Sequence, residues 1–366
     1  MRNFFSLVLS FFIIMAAVPV VSLMYKEDVA QKITAVSTAK GESKSENTQN
    51  ESTARDEAEK AEAASENDEK NTQNTAKETA FFTKKADKVK VYLHKEKKTV
   101  TVDTRFYVLS VLAKEIDIGA PKEALKAQAV CIYTFLKHSM ENADSSKYDI
   151  TDDPAHHQAF LNETALKAFW GENYKENYEK LGKIVDAVSG EYLSYEGKSI
   201  LAAYHSSNAG KTESAANYWG EDYPYLTPVN SIGDTLCNTY KTKMSFTPAA
   251  LKKALLTLKN KNFVFPDSPS DWIGELQSTP SGTVTSITIG GVPLSGREVR
   301  EALKLKSSFF TIRYESGKFS FKVSGYGHGV GLSQEGAKYM AKLGFDYQSI
   351  LLHYYNGVAI KQENSI

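Results

Sequence analysis

The run Gly325-Tyr326-Gly327-His328-Gly329-Val330-Gly331-Leu332-Ser333-Gln334 sets four glycines at alternate positions around one histidine. Glycine costs backbone entropy wherever it is fixed, and it weakens strands. Four at alternate positions imply a backbone that approaches something closely, or takes positive φ, around His328. Ser333 reads as the N-cap of a helix that starts Gln334-Glu335-Gly336-Ala337. Just upstream, residues 309–314 and 318–323 read as a hairpin. The run therefore joins antiparallel structure to a helix. It is either an ordinary glycine-rich turn or the wall of a binding site. A dinucleotide loop fits poorly, because the glycines miss the GxGxxG register and no acidic ribose ligand follows.

Hairpins and helices alternate along much of the chain. Val89-Lys90-Val91-Tyr92-Leu93 and Thr99-Val100-Thr101-Val102 alternate in polarity and read as strands joined by a turn over 94–98. Asp103 is placed to cap a helix over 105–115. A break at Gly119 precedes Pro121, a good first helical residue for a long helix over 122–140. Residues 174–188 form a helix stopped by Gly190. Residues 192–195 and 199–205 pair as a hairpin across Glu196-Gly197-Lys198. Helices over 248–259, 296–305, 334–342 and 347–354, with a strand over 284–289, complete the pattern. The expected class is α+β, with helices interspersed with antiparallel hairpins around a substrate cleft, rather than a doubly wound parallel sheet.

The N-terminal region is of another kind. Residues 4–23 contain no charged residue, and such a stretch is long enough to span a bilayer core. A cleaved signal peptide would have a shorter apolar core and a small-x-small site, which Ala16-Ala17-Val18-Pro19 matches weakly. Residues 1–24 are therefore expected to be an uncleaved transmembrane helix, with the rest of the chain outside the cytoplasm. Residues 25–86 are rich in Lys, Glu, Ser, Ala, Asn and Thr, and predict a disordered tether. Residues 87–366 hold the aromatic and periodic sequence, and can form one large domain or two subdomains around a cleft. The 366 residues carry 44 basic and 44 acidic side chains, so nothing calls for nucleic acid. Cys131 and Cys237 show no metal-type spacing, and Cys131 sits in an apolar helical pattern that suits a buried free thiol.

Three places carry chemistry. Glu115 ends an apolar helix beside Val111, Leu112, Ile116 and Ile118. If it faces a cleft, desolvation raises its pKa and keeps it protonated, as a general acid requires; otherwise it is a solvated helix terminus. Asp152-Asp153-Pro154-Ala155-His156-His157-Gln158 is a polar turn. Adjacent histidines diverge on regular elements, and no cysteine lies nearby, so no metal is assigned. Tyr204-His205-Ser206-Ser207-Asn208-Ala209-Gly210-Lys211-Thr212-Glu213 offers hydroxyls and amides ahead of Tyr218-Trp219-Gly220. Hydrogen-bonding groups beside flat rings suit a sugar site. A Ser-His hydrolase fits less well, because His205 and Ser206 are adjacent and no GxSxG elbow exists.

Four segments in order resemble the stage II sporulation protein D family, whose domain is shared with an amidase-enhancer protein. They are Ala113-Lys114-Glu115-Ile116-Asp117 with Glu123 to Val130; Asp152-Asp153-Pro154 with His157-Gln158-Ala159-Phe160; Tyr204 to Glu213 with Trp219-Gly220 and Pro224-Tyr225-Leu226; and Gly327 to Ala337. The resemblance covers residues 88–358. It implies a lytic transglycosylase acting on peptidoglycan glycan strands during endospore engulfment, without a cofactor. The implied partners are a membrane protein and an amidase that first strips the stem peptides. The family's catalytic glutamate falls on Glu115. The substrate-facing residues expected from the motifs are Gln128, Tyr204, His205, Ser206, Lys211, Thr212, Glu213, His328, Ser333 and Gln334. Two alternatives stay open: a non-catalytic glycan-binding protein that stimulates an amidase, and a hydrolase pairing Glu115 with Asp152 or Glu213. Tyr133 stands where the family commonly has arginine. Thr151 and His157 stand where some clostridial relatives hold zinc with cysteine.

Overall fold

The computed structural model describes residues 88–143, 147–153, 156–238 and 240–363. The expected anchor (1–24) and tether (25–86) lie outside them, and among the described residues no helix is long and apolar enough to cross a membrane. The described fold is α+β with largely antiparallel sheets.

The chain opens with the expected hairpin, β1 (Lys88–Leu93) against β2 (Lys98–Asp103), with Val89, Val91 and Leu93 buried. Helix α1 (Thr104–Glu115) follows, then α2 (Lys122–Glu141). Asp103 occupies the N-cap position of α1, but its carboxylate pairs with Lys88 at 2.7 Å and makes no capping bond. Helix α2 crosses the first core with Ala124, Leu125, Val130, Ile132 and Leu136 buried. The short β3 (Ile150–Thr151) adds to β1 in parallel. Asn162 caps α3 (Glu163–Trp170) by accepting from the Ala165 N–H, and α4 (Tyr174–Ala187) comes next.

The predicted hairpin over 192–205 forms only at its turn. β4 (Glu191–Tyr195) pairs with β5 (Lys198–Ser199), and there the ladder stops. The chain sinks through Ile200, Ala202 and Ala203, all buried, and re-emerges as β6 (Tyr204–His205). β6 then pairs in parallel with β13 (Leu332–Ser333), 128 residues away by register from Tyr204 to Leu332. A local hairpin would have left these small apolar residues at the surface; burying them against a distant strand wins.

Between the α5 helix (Ala215–Trp219) and the glycine-histidine run, the chain makes an excursion into a lobe of its own. The lobe comprises β7 (Lys241–Phe246), α6 (Pro248–Leu255), β8 (Ile273–Ser278), β9 (Val284–Ile289), β10 (Val292–Leu294), α7 (Gly296–Leu303), β11 (Phe310–Glu315) and β12 (Lys318–Ser324). Its core is Leu251, Leu255, Ile287, Ile289, Val299, Phe319 and Phe321 under Trp272. Ser295 and Glu298 form a capping box on α7. The chain closes with α8 (Gln334–Lys342), α9 (Tyr347–Tyr354) and β14 (Ala359–Gln362), which lies along β4.

The glycine-histidine run threads back from the lobe with positive φ at all four alternating glycines. Tyr326 exchanges backbone bonds with Ser207, the Gly329 carbonyl accepts from Glu213, and the Leu332 N–H donates to Ala203. A Cβ at Gly331 would stand 2.0 Å from the Ala203 carbonyl oxygen. Both sequence alternatives, close approach and positive φ, hold together here. Gly331→Ala is expected to destabilise the fold by at least about 3 kcal/mol, because strain at positive φ adds to a backbone clash. Gly344→Ala, also at positive φ but with open space around it, is expected to cost about 1 kcal/mol. Denaturant unfolding of the two variants checks the contrast.

Candidate functional site

Helix α1 delivers Glu115 to the floor of a cavity of about 710 Å³. Val111, Leu112 and Ile116 are buried around it, while its neighbour Lys114 is exposed. Burial raises the Glu115 pKa. The Ala159 N–H, the Lys114 charge and the nearby Tyr204 phenol pull it back in part. The Ala159 N–H reaches Oε1 at a long 3.4 Å, and the Tyr204 hydroxyl forms no full hydrogen bond in the structure. The carboxyl is thus weakly held, and burial shifts its titration above the usual carboxylate range.

The rest of the cavity lining comes from far along the chain. The second motif contributes His156, His157 and Gln158; the β6 region contributes Tyr204, His205 and Ser206; α5 contributes Trp219; and the last motif contributes Tyr326, His328 and Gln334. Of the residues expected to face substrate, Tyr204, His205, Ser206, His328 and Gln334 line the cavity with Glu115. The others sit elsewhere. Gln128 is fully buried on α2, and neither atom of its amide has a partner. Thr212 is tied to Val229, with the Val229 N–H donating to its hydroxyl at 2.8 Å. Glu213 is buried behind the glycine-histidine run, accepting from the Asn217 amide at 2.8 Å and the Thr279 hydroxyl at 2.6 Å. Lys211 is half-buried and paired through its backbone with Asn230. Ser333 caps α8 as expected, accepting from the Gly336 N–H.

His205 and His328 face each other with ring centroids 5.7 Å apart. Burial drives the pKa of His205 down to about 4 and that of His328 to about 3. Both rings are therefore neutral at physiological pH, and neither is poised as a base. His205 Nδ1 donates to the Val330 carbonyl at 3.1 Å, which leaves Nε2 to accept from the Asn208 amide at 3.1 Å. His328 Nδ1 instead accepts from the Val330 N–H at 3.1 Å, so its proton is on Nε2. The rings of Trp219 and Tyr218 pack on His328 at 5.1 and 5.9 Å.

Asp234, in a 3-10 turn (Ile232–Leu236), stands behind this wall. It is fully buried and accepts from the Asn208 N–H at 2.9 Å, the Asn208 amide at 3.2 Å, the Ser333 hydroxyl at 2.5 Å and the Ser231 hydroxyl. No local pattern marked this aspartate in the sequence. Phe135 of α2 and Lys114 also line the cavity without having been singled out as site residues. Tyr133, at the family's arginine position, bonds Glu363 near the C-terminus and is not part of the lining. Cys131 is buried with its sulfur 3.3 Å from the Tyr355 hydroxyl, and burial pushes the thiol up to about 12. Among the described residues, no group of three His, Cys, Asp or Glu side chains is gathered as a metal site.

The family model for stage II sporulation protein matches residues 92–195. Stage II sporulation protein D of Bacillus amyloliquefaciens is 34% identical over 282 residues, covering 76% of this chain and 79% of that protein. The chain belongs to the stage II sporulation protein D family. A second stage II sporulation protein D, from Bacillus subtilis (strain 168), is 30% identical over 79% of this chain and 87% of its own length. An amidase enhancer of the same organism is 28% identical over 68% of this chain and 39% of its own length. The matched segment 92–195 carries α1 and α2, and with them Glu115. The cleft's other residues, from Tyr204 to Gln334, lie outside it.

The two histidines give a direct check on the site. NMR of the imidazole nitrogens is expected to show both rings neutral down to pH 5, with His205 protonated on Nδ1 and His328 on Nε2.

Proposed function

We propose that this chain is a membrane-anchored lytic transglycosylase. It would cut peptidoglycan glycan strands between MurNAc and GlcNAc and leave a 1,6-anhydro end during endospore engulfment. The observation that carries this reading is that Glu115 is the single carboxyl among the described residues lining the cavity. Glycoside hydrolysis ordinarily uses two carboxyl groups flanking the bond. Both candidates for a second one are engaged elsewhere: Asp152 accepts from the His94 N–H at 2.8 Å, and Glu213 is buried among its own donors. One carboxyl suffices for a reaction that takes its nucleophile from the substrate. Neutral Glu115 gives its proton to the glycosidic oxygen as the C1–O bond breaks. The resulting carboxylate accepts the proton of the muramoyl C6 hydroxyl as that oxygen bonds to C1. The proton inventory closes and no water is consumed.

The partners belong to the same proposal. A sporulation amidase supplies strands freed of stem peptides, and a membrane protein of the engulfment complex holds the enzyme in place. The apolar segment 4–23 would anchor the chain, and 25–86 would tether the domain outside the cytoplasm. The similarity to an amidase enhancer favours a second reading, a protein that grips denuded glycan and stimulates an amidase without cutting.

Amidase-treated sacculi digested with the full chain are expected to release fragments with anhydro ends, identified by mass spectrometry. Glu115→Gln should lower that release at least a hundredfold or so while leaving binding in place. Anhydro product undiminished in Glu115→Gln sinks the catalytic reading. Reducing ends in place of anhydro ends point to hydrolysis. Binding without fragments, with acceleration of an added amidase, establishes the second reading. The pH dependence has a definite sign. The Glu115 pKa is raised, so the active acid form persists above the usual carboxylate range, and kcat/KM should fall as pH rises through that raised value.

A further inference from the structure

A row of aromatic rings runs from the edge of the cavity over α3 and α4. Phe169 and Trp170 lie with centroids 6.5 Å apart, Trp170 and Tyr174 6.1 Å, and Tyr174 and Tyr178 5.6 Å. Rings at this helical spacing ordinarily close a core. Here Phe169 is 51% exposed, and the other three are only half-buried. The row is continuous with the cavity through one side chain. Lys114 lines the cavity beside Glu115, and its ammonium stands 5.2 Å over the Phe169 ring.

We propose that Phe169, Trp170, Tyr174 and Tyr178 form an outlying track for the glycan strand. Lys114 receives a lactyl carboxylate where the strand enters the cleft. The proposal rests on reading the cavity as a glycan site. A β-1,4-linked strand of aminosugars presents flat C–H faces that stack on exposed rings. Removal of a stem peptide at its lactyl amide leaves a free carboxylate on each muramoyl residue. A denuded strand is therefore both slender and anionic, and a peptide-bearing one is bulky and lacks that carboxylate. A cation lining the cavity followed by partly exposed rings suits the first and not the second. Farther out, Lys167 stands 5.5 Å over Tyr174 but is paired with Glu163 at 2.7 Å. The 3-10 turn Gly171–Asn173 exposes Glu172, and helix α4 exposes Glu176 and Glu179 beside Lys175 and Lys180. Stacking, and not net charge, holds the outer strand; recognition of the carboxylate is confined to Lys114.

The test uses the full chain carrying Glu115→Gln, so that binding is read without cleavage. The probes are long denuded strands, a short denuded tetrasaccharide and an uncharged chitin oligosaccharide. Phe169→Ala and Tyr174→Ala are each expected to weaken the long strand by roughly threefold to tenfold and to leave the tetrasaccharide unchanged. Phe169→Trp should restore long-strand binding, which a merely unfolded variant would not permit. Lys114→Gln should weaken the denuded probes and spare chitin. Unchanged long-strand affinity in the ring variants overturns the track while leaving the transglycosylase reading intact. Equal loss on denuded strands and chitin overturns the carboxylate assignment. A parent chain that binds none of the probes overturns the glycan reading itself, and the track with it.

Discussion

A carboxyl group buried without a cationic partner holds the cleft in shape. Asp234 is fully buried, and burial pushes its pKa up to about 7 in spite of the four hydrogen bonds it accepts. Those bonds come from three stretches of chain: the loop after β6 through Asn208, the 3-10 turn through Ser231, and the N-cap of α8 through Ser333. Ser231 in turn meets the Tyr354 hydroxyl of α9 at 2.7 Å, and the Asn208 amide passes on to His205. Without this acceptor the Asn208 N–H and the Ser333 hydroxyl would be buried donors with nothing to bond. The knot also dictates a glycine. A Cβ at Gly336 would stand 1.9 Å from the Tyr354 hydroxyl oxygen.

The knot explains why the histidine wall is passive. Its two rings are held in opposite tautomers by fixed backbone partners, and burial keeps both uncharged. They shape the cavity wall, and the one carboxyl in the lining, Glu115, is only loosely held. Glu115 owes its raised pKa to the apolar end of α1, whereas its surroundings are closed by segments that come back through the Asp234 knot. The local helix thus supplies the carboxyl, and the distant loops supply the enclosure that helps to raise its pKa.

Local patterns were readable where the physics is local. The β1–β2 hairpin, the long α2 after Pro121, the Ser333 cap and the Gln334 helix all follow from alternation, caps and breakers within a few residues of each other. The glycine-histidine run was legible as a constraint, since only close approach or positive φ accounts for alternate glycines. The strand over 199–205 was misread because its apolar residues look like half of a hairpin. Their partner, β13, lies beyond an entire lobe. Likewise Lys211, Thr212 and Glu213 have the composition of a sugar site, yet two of the three spend their side chains on Val229, Asn217 and Thr279.

The sequence by itself determined the class of fold and the family, and marked Glu115 as a candidate whose desolvation it left open. These rest on short-range periodicity and on motifs whose residues are neighbours in the chain. Only the tertiary structure decided which polar residues face the cavity and which are buried supports. It alone brought out Asp234, Phe135 and the Phe169 to Tyr178 row. The reason is geometric. A hydroxyl or carboxylate has the same sequence signature whether it meets a ligand or a buried donor, and that choice is made by partners as far away as Thr279 is from Glu213 or Ser333 from Asp234.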